Sequence, residues 1–300
     1  MRKMIFFDID GTISDEQTGE IPESAIRAIR KARENGHIAI INSGRTLTSI
    51  DQKIKDIGFD GYICGCGTAL YEGEECFYLH SLSEELRKRV VEKARETKVT
   101  AVYEGAGNVF FDQILPQHDV VDMLMKKFGL NGRTVPPVLE SDVIEFEKFC
   151  VWLSKEADMQ TFQKCFENEF HFINRGDDMY EIVPQGISKA SGIQGFMEHY
   201  QILLENCYAL GDSTNDLDML KFVPHSIAMG HCMEEILPYC EYQTDKVEED
   251  GKLTAFHFRG GGFGHGAGMS QNGANHMAED GKNYEEILGL FYEGTTLSAI

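Results

Sequence analysis

The sequence predicts an α/β protein: a doubly wound parallel sheet into which a separate α+β segment is inserted. Short apolar runs alternate with helix-period stretches over the first 80 residues and again beyond Pro184. Strand–helix–strand units with short loops close as parallel sheets with right-handed crossovers. Residues 82–183 drop that alternation and mix charged helices with consecutive strands. With 300 residues, 42% of them apolar, the chain can bury one large core or two smaller ones.

Lys3–Ile9 is an apolar run that ends in acids and glycine, a buried strand feeding a loop. Pro22–Asn35 places Ala25, Ile26, Ile29 and Ala32 at helical spacing, with Gly36 as the stop. His37–Asn42 is again a buried strand, ending at Ser43-Gly44-Arg45. A helix over 46–57 and a strand at Gly61–Cys64 follow. In the insert, Ser83–Thr97 is an amphipathic helix, followed by strands near 99–103 and 108–112 and a helix near 118–128. Beyond the Gly/Pro stretch Gly129–Pro137 come a strand (Lys148–Leu153), a helix (Lys155–Glu169) and the strands Phe170–Asn174 and Met179–Val183. After Pro184 the alternation returns: helix Ser188–Tyr200, strand Cys207–Leu210, helix Asp216–Phe222, strand Ser226–Met229. The expected division is a core of 1–81 plus 184–256, an inserted cap of 82–183 and a glycine-rich tail of 257–300.

Composition excludes several functions. Lys+Arg 28 against Asp+Glu 49 leaves a net charge of −21. Such a surface does not bind nucleic acid non-specifically, because phosphate contacts need clustered Lys and Arg, and it does not favour an anionic membrane surface. No run approaches ~18 consecutive apolar residues, so no membrane span is expected. Asp8 and Asp10 cut the first apolar run too early for an export signal, which predicts a cytoplasmic protein. The eight cysteines (64, 66, 76, 150, 165, 207, 232 and 240) contain no CxxC pair and read as reduced, mostly buried thiols. Cys64-Gly65-Cys66 is the one close pair, and no role is assigned to it. No feature sets an oligomeric state.

Chemistry concentrates at strand ends. Asp8-Ile9-Asp10-Gly11-Thr12 follows the first strand, where open α/β sheets bind ligands. Two carboxylates one residue apart repel unless a cation or a proton separates them, although Asp and Gly are also ordinary turn residues. Gly211-Asp212-Ser213-Thr214-Asn215-Asp216 follows another strand and brings more acid to the same edge. Hard oxygen ligands of this kind suit Mg²⁺; an N-cap to the next helix is the plainer reading of this loop alone. Ser43-Gly44-Arg45 offers a hydroxyl and backbone N–H groups at a strand-to-helix junction, a ready anion site. Lys189 opens a helix, the wrong end for a cation by dipole alone, unless it screens phosphate and carboxylate charge.

In order and residue type these four loops resemble the signature motifs of the haloacid dehalogenase superfamily phosphatases, and the long insert looks like the C2-type cap of the Cof-like hydrolases within it. The resemblance spans residues 1–256 and implies a Rossmann-like core. It implies Asp8 as nucleophile through an aspartyl-phosphate, with Asp10 as general acid and then base. It places Thr12 at the flap behind the first motif, and Ser43, Gly44, Lys189 and Asn215 around the phosphate. Asp8, Asp212 and the Asp10 backbone carbonyl would hold Mg²⁺, with Asp216 supporting them. The expected function is a Mg²⁺-dependent hydrolase of small phosphorylated metabolites. A phosphomutase or phosphotransferase using the same intermediate is an alternative, and a phospho-Asp signalling module is one from a different class. The chain is much longer than one such module, and Asp10 supplies an acid/base group that a long-lived phospho-Asp should lack. Substrate choice falls to the cap. There Arg175–Glu181 forms a turn near the return to the core, placed either to face the active site or to stand as a solvated hairpin, and Arg45 is the nearest candidate to meet a second anionic group or, equally, to make a structural ion pair.

The tail is different in kind. Arg259–Ala274, with six glycines in nine residues, resembles the GHGxGMSQxGA segment near the end of SpoIID-type cell-wall proteins, and 278–296 continues the likeness. The upstream catalytic acid of that domain has no counterpart, so no wall-cleaving activity is carried over. His265 and His276 lack a third metal ligand at suitable spacing. The tail reads as a fused segment packed on the core, a flexible appendage or a residual binding element.

Overall fold

The first strand, β1 (Met4–Phe7), is flanked on both sides by parallel strands. In this computed structural model the described residues are 2–15, 18–116, 118–129, 132–139, 144–176, 178–244 and, as backbone, 256–258. After β1 come α1 (Glu23–Glu34), β2 (Ile38–Asn42), α2 (Gln52–Lys55), β3 (Gly61–Cys64), β4 (Ala69–Glu72) and β5 (Glu75–Leu79). The insert contributes α3 (Glu84–Thr97), β6 (Thr100–Glu104), β7 (Val109–Phe111), α4 (Asp119–Phe128), β8 (Gly132–Thr134), β9 (Lys148–Trp152), α5 (Met159–Phe166), β10 (Phe170–Gly176) and β11 (Met179–Pro184). Then follow α6 (Lys189–Tyr200), β12 (Cys207–Gly211), α7 (Leu217–Phe222), β13 (His225–Ala228), β14 (Tyr242–Thr244) and β15 (Phe256–Phe258).

Two sheets organise these elements. The larger runs β15-β14-β13-β12-β1-β2-β3-β4-β5, and β6–β11 form the smaller in the order β10-β11-β9-β6-β7-β8. From β14 through β12 and β1 to β3 the pairing is parallel; β4, β5 and β15 add antiparallel edges. The strand order reverses between β1 and β12, and open α/β sheets bind ligands beyond the carboxyl ends at such a reversal. The side-chain period of 2 divides each strand between two cores. Met4, Phe6, Ile38 and Ile40 pack with Ile193, Phe196 and Met219, whereas Phe7, Ala39 and Ile41 pack with Ile29 and Ile54. In the insert, Phe149 and Val151 face α3 and α5 through Val90, Val91, Phe162 and Phe166, while Cys150 and Trp152 face Val121 of α4.

The structure differs from the expected elements at several places, and β8, β14 and β15 are among the strands that the sequence reading did not expect. The single helix over 46–57 is a short 3₁₀ turn at Leu47–Ser49 and then α2, with extended backbone at Ile50 and Asp51. Ser49 Oγ donates to the Thr46 carbonyl and Thr46 Oγ1 donates to Ser49 Oγ, and such local bonds compete with helix. The helix at 155–169 begins only at Met159, where Asp158 caps the Thr161 N–H. The β4–β5 hairpin, turning at Gly73 (φ 56°), has no counterpart in the sequence reading, because its outer strand is mostly exposed and lacks apolar alternation.

All eight cysteines are free thiols, but only Cys64, Cys66, Cys150 and Cys207 are buried, so the expectation of mostly buried thiols holds for half of them. Among the described residues no helix is long and apolar enough to cross a membrane. The tail segment 259–300, with its SpoIID-like motif, His265 and His276, lies outside the described residues.

Candidate active site

The end of β1 is tied to β12 by Asp8 N–H donating to the Leu210 carbonyl at 3.1 Å, which sets the two acidic loops side by side. The chain then turns tightly: Gly11 has φ +79°, and its N–H donates to the Ser14 carbonyl. A Cβ at Gly11 would lie 2.3 Å from Asp212 Oδ2, so only glycine lets the Asp212 carboxylate settle on this turn. Thr12 Oγ1 donates to Asp212 Oδ1 at 3.4 Å.

Asp216 is fully buried. Its Oδ2 accepts from the N–H groups of Asp212 (3.0 Å) and Ser213 (3.3 Å). Its Oδ1 lies 2.6 Å from Lys189 Nζ, which also meets Asp8 Oδ1 at 2.6 Å. Lys189 is not a solvated surface lysine: it is the first residue of α6, behind a Ser188/Ser191 capping box, and is buried. Asn42 Nδ2 donates to the Lys189 backbone carbonyl at 3.1 Å, fixing the first residue of α6.

One carboxylate oxygen from each of Asp8, Asp212 and Asp216 lies within 4.8 Å of the others, and all three residues are buried. Three acids against one ammonium leave an excess of negative charge. Burial raises the Asp8 carboxyl to about 7, Lys189 opposes the rise, and Asp216 and Asp212 add to it. Burial alone would lower Lys189, but Asp216 and Asp8 outweigh it and hold the ammonium above its ordinary range. An all-oxygen, anionic donor set of this size fits a hard divalent cation. Asp216, committed to Lys189 and two N–H groups, is suited to a supporting place, with Asp8 and Asp212 in contact.

Asp10 stands apart from this trio. Its carboxylate is half exposed and accepts from Arg45 Nη2 (2.6 Å) and Nε (3.1 Å), and Arg45 Nη1 also reaches Asp51 Oδ2 at 3.4 Å. Arg45 therefore makes the structural ion pair. Ser43 is buried and its Oγ accepts from the Arg45 N–H at 3.2 Å. Asn215 Oδ1 accepts from Ser213 Oγ.

Residues from the insert reach this loop: Glu181, which ends the stretch Arg175–Glu181 that the sequence offered for the cap, and Lys148, which the sequence reading did not single out. Glu181 of β11 puts Oε1 2.8 Å from where a Gly44 Cβ would stand, with Cys66 Sγ at 3.3 Å from the same point. Cys66 Sγ donates to Glu181 Oε1 at 3.2 Å, and Lys148 Nζ lies 2.5 Å from that oxygen. Burial and Glu181 push the Cys66 thiol up to about 12, so this cysteine is an inert neighbour. The available signal was a charge inside each apolar strand, Lys148 in KFCVW and Glu181 in MYEIV, since buried charges are paired. We expect Gly44→Ala to cost about 1–3 kcal/mol through overpacking against the fixed Glu181 and to lower turnover; unchanged melting and kinetics would show that the loop and Glu181 are not in contact.

Comparison with known proteins gives one consistent picture. A family model described as haloacid dehalogenase-like hydrolase matches residues 5–256. The chain is 25% identical over 255 residues to 5-amino-6-(5-phospho-D-ribitylamino)uracil phosphatase YcsE of Bacillus subtilis strain 168, covering 84% of this chain and 94% of that protein. It is 24% identical over 255 residues to HMP-PP phosphatase of Klebsiella pneumoniae strain 342, covering 79% and 87%. Among solved structures, the HAD subclass IIB sugar phosphatase BT4131 aligns with a TM-score of 0.69 and 26% identity over 83% of this chain and 95% of that one.

Proposed function

We propose that this chain, which belongs to the haloacid dehalogenase-like hydrolases, is a Mg²⁺-dependent phosphatase of small phosphorylated metabolites, working in the cytoplasm. Its core is 1–81 with 184–256 and its cap is 82–183. The reading rests foremost on Lys189 holding Asp8 and Asp216 beside Asp212 in a buried cluster. Relatives named as phosphatases of a ribitylaminouracil phosphate, of HMP-PP and of sugars support the substrate class.

Asp8 is the nucleophile. Lys189 on Oδ1 leaves the other oxygen to attack phosphorus in line, and the bond from phosphorus to the leaving alcohol breaks. Asp10, once its carboxyl is released from Arg45 and protonated, gives its proton to that alcohol; it then takes one from the water that attacks the phospho-Asp8, releasing phosphate and restoring both carboxyls. Ser43 Oγ, the Gly44 N–H, Lys189 and Asn215 hold the phosphoryl oxygens, and Thr12 braces Asp212. Asp8, Asp212 and the Asp10 carbonyl would hold Mg²⁺, with Asp216 supporting them, and the ion would supply charge neutralisation for the phosphoryl group.

Activity on a panel of phosphorylated metabolites, read as free phosphate, tests the reading. EDTA should abolish hydrolysis and Mg²⁺ restore it; metal-independent turnover, or an isomerised ester as product, would contradict it. Metal binding also has a pH signature. The Asp8 carboxyl is raised in the fold from 3.8 to about 7, so its bound proton stabilises the metal-free protein at low pH, and that stabilisation is lost as pH rises through 7. Mg²⁺ competes with this proton. It should therefore raise the melting temperature more at about pH 8 than at about pH 5.5, and equal shifts would count against Asp8 as a ligand.

A further inference from the structure

A run of buried charge in the smaller sheet is not used by the reaction above. Lys148 Nζ lies 2.9 Å from Glu104 Oε2 and 2.5 Å from Glu181 Oε1, and Arg175 Nη2 lies 2.8 Å from Glu181 Oε2. From Glu104 to Arg175 the signs alternate, negative, positive, negative, positive. The two middle side chains are sealed at 2% and 4% exposure, whereas Arg175 keeps 26%. Burial alone would raise Glu181, but Lys148 and Arg175 outweigh it and hold the carboxyl far below its usual range. It is therefore a permanent anion that fixes Arg175 in place.

The position of Arg175 follows from its partner. Glu181 turns one oxygen to Gly44 and Cys66, at the loop assigned to phosphate, and the other to Arg175. The guanidinium thus stands at the rim of that loop. The other cations near the site are committed: Lys189 to Asp8 and Asp216, Arg45 to Asp10 and Asp51, Lys148 to two carboxylates. Among the described residues Arg175 has one ion-pair partner, through Nη2 alone, while a guanidinium carries five N–H donors in a planar fork suited to carboxylate and phosphate. In a protein of net charge −21, a further anionic group on a substrate is repelled unless a local cation receives it.

We propose that Arg175 is a specificity residue that binds an anionic group, a carboxylate or a second phosphate, on the leaving-group side of the substrate, with Glu181 as its positioning residue. This rests on the phosphatase reading. It assigns the second anionic group to Arg175 rather than Arg45.

Two substrate pairs test it, and each differs by one anionic group. 3-Phosphoglycerate against glycerol 3-phosphate probes a carboxylate; fructose 1,6-bisphosphate against fructose 6-phosphate probes a second phosphate. The wild-type protein should favour the anionic member of at least one pair by about tenfold in kcat/KM, mainly through KM, and the pair that responds identifies the group. Arg175→Met should bring that ratio close to one. Arg175→Lys, which keeps charge but loses the fork, should lower it at least about threefold and covers the case in which the methionine variant fails to fold. Ratios near one for both pairs in the wild type, or a preference that survives both substitutions, would overturn the proposal. Absence of hydrolysis of all four esters and of the wider panel would instead overturn the phosphatase reading beneath it.

Discussion

Asp8→Asn should lower kcat by about 10⁴-fold or more, the scale seen when a covalent nucleophile is removed, and leave the fold intact. The substitution is isosteric, and the amide oxygen can still accept from Lys189, which sits 2.6 Å from Oδ1 in the native protein. Stability in the absence of metal should be unchanged or higher at about pH 8. One of three crowded buried carboxylates loses its charge, and burial already raises the native carboxyl to about 7. Steady-state kinetics with p-nitrophenyl phosphate and a thermal melt check both halves. Substantial residual turnover would remove Asp8 from the nucleophile role.

Lys189→Met should be the most damaging single change to the metal-free protein. It leaves Asp8 and Asp216, both buried and both 2.6 Å from the ammonium, without their cation. Breaking a buried pair in this way costs about 3–5 kcal/mol. The loss should be larger at about pH 8 than at about pH 5.5, because the Asp8 carboxyl, already raised by burial, takes up a proton at the lower pH. Urea denaturation at the two pH values measures this difference. Turnover should fall with it, since the phosphoryl oxygens lose a charge-assisted donor. A variant as stable as the wild type at both pH values would mean that the ion pairs do not hold the cluster together.

Much of this site was legible before the fold was known, for a local reason. Acids, a hydroxyl and glycines collect just after apolar runs, and the carboxyl ends of parallel strands are where such residues meet. Asp8, Asp212 and Asp216 were found that way, Lys189 by its unfavourable place at a helix start, and the structure brings all four together. Their partners were harder to read because they are set by contacts far apart in the chain. Asn42 supports Lys189 from 147 positions away and Glu181 meets Cys66 across 115; no local pattern encodes either contact. The direction of the Asp10 side chain was also not legible from position alone. It follows Asp8 by two residues, yet turns to Arg45 rather than into the acidic cluster. The core and insert strands were readable where both faces are buried, as in β2 and β9, and unreadable at the exposed edge strand β5.

The central claim is that Asp8 itself takes the phosphoryl group, and trapping tests it most directly. In Asp10→Asn with p-nitrophenyl phosphate and Mg²⁺, the leaving group needs no proton, so the first transfer proceeds while attack by water lacks its base. A burst of about one equivalent of nitrophenol should precede slow turnover. Borohydride added during that burst should reduce the acyl phosphate, and peptide mapping should find homoserine at position 8. A burst that leaves position 8 as aspartate, or homoserine at any other position, would contradict the account.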